Sequence, residues 1–158
     1  MTDSAPSPST VGGLLIRRLT GLDEQVCRLL RDRNVCTVCT TAPDGSIHAL
    51  PVWVDTDGRE VVLNSVRGRA WVRNAERTGR ITCNVVNLAN PYEFVEIRGR
   101  VSAPTRDGAD EHINEMARKY IGADEYPWMD PQQPRVVLRV TPEKVVHMYP
   151  GDPELEGS

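Results

Sequence analysis

The residues best suited to chemistry in this 158-residue chain are arginines, and they crowd into one stretch. From Asn64 to Arg80 the sequence reads NSVRGRAWVRNAERTGR, with Arg67, Arg69, Arg73, Arg77 and Arg80 set against a single acid, Glu76. The whole chain carries a formal charge of −3, so this basic segment sits on an otherwise acidic protein. A local excess of that kind fits a site for one anion better than a nucleic-acid surface. The segment leaves a strand, turns through Gly68 and reads as the start of a short helix. Exposed backbone N–H groups at a helix start, with the positive end of the dipole, make an anion cradle. Arginine adds flat bidentate contacts to phosphate or carboxylate oxygens. Arg69 and Arg73 are four apart and share a helix face, with Arg67 on the approach. A phosphate-bearing ligand is one reading of this pattern. A solvated surface helix is the other.

Other reactive residues give less. Cys36 and Cys39 form a C-x-x-C, but they lie in VCTVCTTA, a β-branched run that reads as a strand. Residues three apart on a strand point to opposite faces, so the two thiols do not share a metal. No second C-x-x-C and no histidine pair at ligand spacing accompanies them, so no metal site is expected. His112 reads as a surface residue, having no partner histidine one turn away, and His147 as a structural residue on the last strand. His48 draws more interest because it falls just before Pro51 on the second strand. The chain contains no G-x-x-x-x-G-K-[ST] loop, no G-x-G-x-x-G after a strand, no G-x-S-x-G elbow and no H-E-x-x-H. Its eight aromatic residues show no stacking platform, which argues against a nucleic-acid module.

The elements that must position these groups are mostly strands. Apolar spacing predicts helices over 22–33 and 110–121, the first with acids at its start and arginines near its end. Strands are predicted over 35–42, 46–55, 60–65, 80–87, 92–103, 136–140 and 144–149, joined mainly by tight turns. In the strand over 92–103, Val95, Ile97 and Val101 alternate with Glu96, Arg98 and Arg100, a half-buried pattern. Pro51 marks an edge, bulge or kink. Residues 126–133 form a proline-rich loop. Short strands with few helices indicate a mainly β fold of α+β type, a small antiparallel barrel with small packing helices. Residues 1–12 read as a disordered tail, 13–149 as one domain and 150–158 as a flexible acidic tail. No run approaches a membrane span and no secretory leader is discernible, so a cytoplasmic protein with no membrane partner is expected.

The order of short motifs resembles the flavin and deazaflavin oxidoreductases with the pyridoxamine phosphate oxidase-like split β-barrel. It rests on Thr37, Thr41, Asp44-Gly45, His48, Pro51-Val52-Trp53, Asn64-Ser65, Arg69, Arg73-Asn74 and the run from Val95 to Val101. The resemblance implies a homodimer with cofactors in clefts between subunits. The branch most similar to this sequence uses the deazaflavin F420, whereas others use FMN and some bind haem or its breakdown products. It implies that the Pro51–Trp53 strand lies along the cofactor ring with His48 close by, and that Ser65 to Arg73 holds the phosphate. Asn64 falls in the same motif, and Tyr92 and Phe94 would reach the site from the partner subunit.

The activity implied is an F420-dependent reduction, a hydride passing to a conjugated, unsaturated organic substrate. His48 and Tyr92 are the candidate proton donors. The alternatives are an FMN-dependent oxidase or reductase, and a carrier of a cofactor or tetrapyrrole without turnover. One departure stands out. Family members commonly have a lysine two residues before the Arg-Asn pair, where this chain has Trp71. Arg67 compensates for the lost cation, or Trp71 stacks on a ligand, or it narrows the channel, or it fills the core.

Overall fold

The longest element of the computed structural model, which describes residues 7–151, is a 16-residue strand, β9 (Arg135–Pro150), and the sheet is built around it. Before it come β1 (Ser9–Val11), β2 (Leu14–Leu19), α1 (Glu24–Arg31), β3 (Cys36–Thr41), β4 (Ile47–Val52), β5 (Val54–Thr56) and β6 (Val61–Val66). There follow α2 (Ala70–Thr78), β7 (Arg80–Val86), β8 (Phe94–Val101) and α3 (Ala109–Ile121). All pairings are antiparallel, in the order β1-β2-β9-β8-β7-β3-β4, with β6 joining β5 to the first part of β9. The expected small antiparallel architecture with packing helices is what the chain adopts.

Val, Leu and Ile residues from β3, β5 to β9, α1 and α2 meet in one core. Alternation along β8 buries Val95 and Ile97 and exposes Arg98 and Arg100, as the sequence pattern predicts. Cys36 faces this core while Cys39 points to the other side of β3 and is half-buried, so the C-x-x-C is split between faces. Among the described residues no cluster of His, Cys, Asp or Glu is placed to hold a metal, and no helix is long and apolar enough to cross a membrane.

Four elements differ from expectation, the first being β2, which pairs with the second part of β9 where no element is predicted. The strand expected over 46–55 breaks at Trp53: β4 pairs with β3 while β5 turns away to pair with β6. Pro51 lies on β4 at the end of the sheet, where its missing N–H costs no ladder bond. The two strands expected around Thr141-Pro142 are instead one, β9, which absorbs the irregularity as a bulge: Arg98 pairs with Lys144 and Gly99 with Pro142, leaving Glu143 as the extra residue. Residues 9–11, expected to be loose, form β1, which turns back through Gly12 and Gly13, both at positive φ, onto β2. Residues 1–6 of the expected N-terminal tail and 152–158 of the acidic tail lie outside the described residues.

β6 is buried on both faces. Leu63 faces the main core, while Val62 and Val137 of β9 face Ala109 of α3. Asn64 shares the second face and ties the helix down, its Nδ2 donating to the Ala109 carbonyl at 2.9 Å. This sandwiching of β6 puts a polar residue in the interior beside the arginine segment.

Candidate functional site

β6 ends at Val66, the chain turns through Gly68, and α2 begins after Arg69, whose N–H donates to the Val66 carbonyl at 3.2 Å. Arg69 occupies the cap position without a side-chain capping bond, and the first turn of α2 contains no acid. The helix therefore presents uncapped N–H groups and an unopposed positive end. Beside it lies a cavity of about 430 Å³ lined by Arg67, Gly68, Arg69, Arg106, Gln132 and Gln133, among others. Arg67 is steadied by the Pro104 carbonyl at 3.1 Å, and Arg106 lies 3.9 Å from Asp110.

Arg69 also lines a second cavity, of about 200 Å³. Here the β4–β5 break contributes Pro51, Val52 and Trp53, β6 contributes Asn64 and Ser65, and α2 contributes Trp71. The remaining wall comes from Ile113, Tyr126, Trp128 and Arg135. Tyr126 meets Trp53 edge-on with centroids 6.1 Å apart and Trp128 edge-on at 5.6 Å. One cavity is cationic and the other aromatic, and Arg69 stands where they meet.

The family profile for pyridoxamine 5'-phosphate oxidase matches residues 22–149 of the chain. The chain belongs to this family. Solved structures agree on the split-barrel fold of that family. One, an F420 reductase, superposes with a TM-score of 0.68 at 23% identity, covering 78% of this chain and 98% of its own. A pyridoxamine 5'-phosphate oxidase-like protein from Listeria innocua gives 0.57 at 21% identity over 77% and 94% of the two chains. Group A Streptococcus HupZ gives 0.59 at 16% identity over 78% and 91%. No curated protein matches the chain.

Within this family member, the residues singled out from the sequence fall into three groups. Pro51, Val52, Trp53, Asn64, Ser65, Arg69 and Trp71 come together around the aromatic cavity, and Arg67 joins through the cationic one. His48 and Arg73 do not. They line a separate cavity with Asn74 and Arg77, near the β3–β4 turn. Arg69 and Arg73 are thus one helical turn apart, yet their side chains serve different cavities, because Arg69 is still in extended conformation at the cap. Tyr92, 71% exposed, and Phe94, at the start of β8, lie outside both cavities of their own chain.

Trp71 is 1% exposed and belongs to the main core, so core filling is the role its burial supports. Its indole Nε1–H has no partner among the described residues. His112 is a correction: it is not a surface residue. Its Nδ1 lies 3.1 Å from Asn64 Nδ2, its Nε2 is buried without a partner among the described residues, and burial lowers its pKa. With Asn64 Nδ2 directed at Ala109 and His112, the amide oxygen is left to face Arg135. His147, read as structural, is buried between Arg17 at Nδ1 and Glu93 at Nε2.

Sequence reasoning missed Arg135, Tyr126 and Trp128. Arg135 is only 8% exposed, and its Nε donates to Asn64 Oδ1 at 2.8 Å. Its guanidinium carbon lies 5.1 Å from the centre of the Tyr126 ring. Burial pulls its pKa down, Tyr126 and Asp110 favour the charge, and Arg69 opposes it. The signal available was an arginine opening the apolar run Val136-Val137-Leu138, just after a loop rich in proline and aromatics.

Proposed function

We propose that this protein is an oxidoreductase that holds a phosphate-bearing cofactor of the flavin class across the paired cavities, F420 in the first instance and FMN as the alternative. The observation that carries this reading is the position of Arg69, shared between a cavity of arginines and a cavity of aromatic rings. A ligand with an anionic arm and a planar ring matches that layout. The uncapped N–H groups of α2 are donors of the kind such a ligand satisfies. F420 is favoured over FMN by the motif resemblance and by the F420 reductase among the structural relatives.

Arg67, Arg69 and Arg106 would hold the phosphate, and the α2 N-terminus would add backbone donors. Pro51, Val52 and Trp53 would flank the ring, with Tyr126 and Trp128 excluding water from its surface. When bound and reduced, the cofactor supplies a hydride to a conjugated, unsaturated organic substrate. A homodimer completes the proposal: Tyr92 and Phe94 line neither cavity of their own chain and would be available to the partner's. Tyr92 and His48, both exposed, are the side chains from which a second copy could deliver a proton. Four free thiols suit a reducing cytoplasm.

Titration with F420 and with FMN, followed by fluorescence, tests the reading. F420 should bind, and the affinity should fall as salt rises. Arg69→Ala should weaken binding about tenfold and flatten the salt dependence, as expected for loss of a charged hydrogen bond. Affinity unchanged in Arg69→Ala removes the anchor role, and a response to FMN alone transfers the assignment to FMN. Binding without any turnover of unsaturated ketones, quinones or biliverdin leaves a carrier instead of an enzyme.

A further inference from the structure

Arg135 sits in the aromatic cavity as a buried cation that nothing nearby neutralises. It is only 8% exposed, and among the described residues no carboxylate forms an ion pair with it. The acid whose charge reaches it, Asp110, lies beside Arg106 instead. Its immediate neighbours are neutral or of like sign: the amide oxygen of Asn64 at Nε, the face of Tyr126, and Arg69. A guanidinium held this way is costly to bury and is normally paired. Asn64 and Tyr126 fix its orientation but leave its net charge intact.

The geometry points to an anion receptor in the aromatic cavity, formed by Arg135 with Arg69, whose occupant is a planar conjugated ring system bearing an anionic oxygen such as a carboxylate. This second anion is distinct from the phosphate assigned to Arg67, Arg69 and Arg106, because Arg135 lines only the aromatic cavity of the two. The inference rests on the proposal that a flat ring occupies this cavity, and it names a charge that ring system carries. The charge could sit on an organic acid substrate or on the cofactor's own ring. Both would present a flat π-face to Trp53 and Tyr126 and an oxygen to the planar donor fork of the guanidinium.

The test compares trans-cinnamate with cinnamamide, matched in shape and differing in charge, by calorimetric titration of the full chain. Cinnamate should bind at least tenfold more tightly. Arg135→Gln should bring the two ligands to within about twofold, and Asn64→Asp should do the same with the guanidinium retained, since it sets a carboxylate against Nε. Arg135→Lys keeps the charge without the fork and should retain part of the preference. Equal affinities in the wild type, or a preference surviving in both Arg135→Gln and Asn64→Asp, would overturn the assignment. Repeating the titration with F420 bound separates the sources: cinnamate that still binds marks a substrate site, and cinnamate that is displaced marks the cofactor ring. Preference for cinnamate in a protein that binds neither F420 nor FMN would remove the cofactor reading and leave the receptor standing.

Discussion

Trp53 lies flat on Tyr120, ring centroids 5.2 Å apart and planes 3° from parallel, and this contact joins the wall of the aromatic cavity to α3. Tyr120 is itself fixed by its hydroxyl, which accepts from the Val54 N–H at 3.1 Å and donates to the Asn34 carbonyl. The strand break at Trp53 is therefore stabilised by one side chain 67 positions further on. Trp53 can stand between β4 and β5 because the Val54 N–H is satisfied there.

Tyr120→Phe should separate these two roles. The ring stays to stack on Trp53, while the Val54 N–H and Asn34 carbonyl lose their partner in a buried setting. Stability should fall by about 1–3 kcal/mol, with ligand affinity changed little. Tyr120→Leu should lower both. Chemical denaturation and the F420 titration read the two effects, and an unchanged denaturation midpoint in Tyr120→Phe would refute the hydroxyl's role.

Gly99 marks the place where β8 and β9 slip in register, and it permits the close approach that keeps β9 continuous past Pro142. A Cβ at this position would stand 2.2 Å from the Thr141 carbonyl oxygen and 2.9 Å from Val140 Cγ1. Backbone cannot yield as a side-chain tip can. Gly99→Ala should destabilise by about 1–3 kcal/mol, the range of overpacked cores, where Gly68→Ala in open space should cost little. Equal melting temperatures for the two variants would contradict the steric account.

Lys119 gives the stability a specific alkaline signature. Its ammonium donates to the Leu30 carbonyl at 2.7 Å and the Val54 carbonyl at 2.6 Å, tying α3 to the end of α1 and to β5. Burial nonetheless lowers its pKa to about 8, with Asp55 and Asp32 pulling the other way. The ordinary value is 10.5, so between about 8 and 10.5 the unfolded chain binds more protons than the folded one, and stability rises with pH. Tyr120, pushed up to about 12 by burial, acts oppositely above its ordinary value of 10. Stability should climb by about 1–2 kcal/mol from pH 8 to 10 and then fall. Lys119→Met should abolish the climb, as denaturation midpoints across that range would reveal.

What the sequence revealed follows from how local each signal is. β8 was legible because Val95 and Ile97 alternate with charged residues, and α1 because its apolar residues recur at helical spacing, with acids at its start and arginines at its far end. Arg135 was not legible, since an arginine opening a strand ordinarily lies in solvent. Its burial depends on Asn64, 71 positions away, and on a loop that folds Tyr126 over it. His112 misled for the same reason: its helix shows no ligand partner, but β6 supplies Asn64 across the fold. Arg69 and Arg73 do not share a face because Arg69 lies one residue before the helix begins, in extended conformation.

Trp71 supplies the sharpest test of how this chain departs from its family. A lysine is common at this position, yet the side chain here is 1% exposed within the core formed by α2 and the sheet. Restoring the family residue by Trp71→Lys would therefore bury an ammonium and leave the volume of an indole unfilled. The cost should be at least about 3–5 kcal/mol, the range for emptying a large aromatic site, and no gain in anion affinity should accompany it. Arg67 is different: it is exposed and lines the cationic cavity. Arg67→Ala should leave the melting temperature unchanged within a degree or so and weaken F420 binding about tenfold. Together the two variants distinguish compensation from loss. If Trp71→Lys folds normally and binds F420 more tightly, the tryptophan occupies a true phosphate position. If it unfolds while Arg67→Ala loses affinity, the cation has moved to Arg67 and the vacated position has become core.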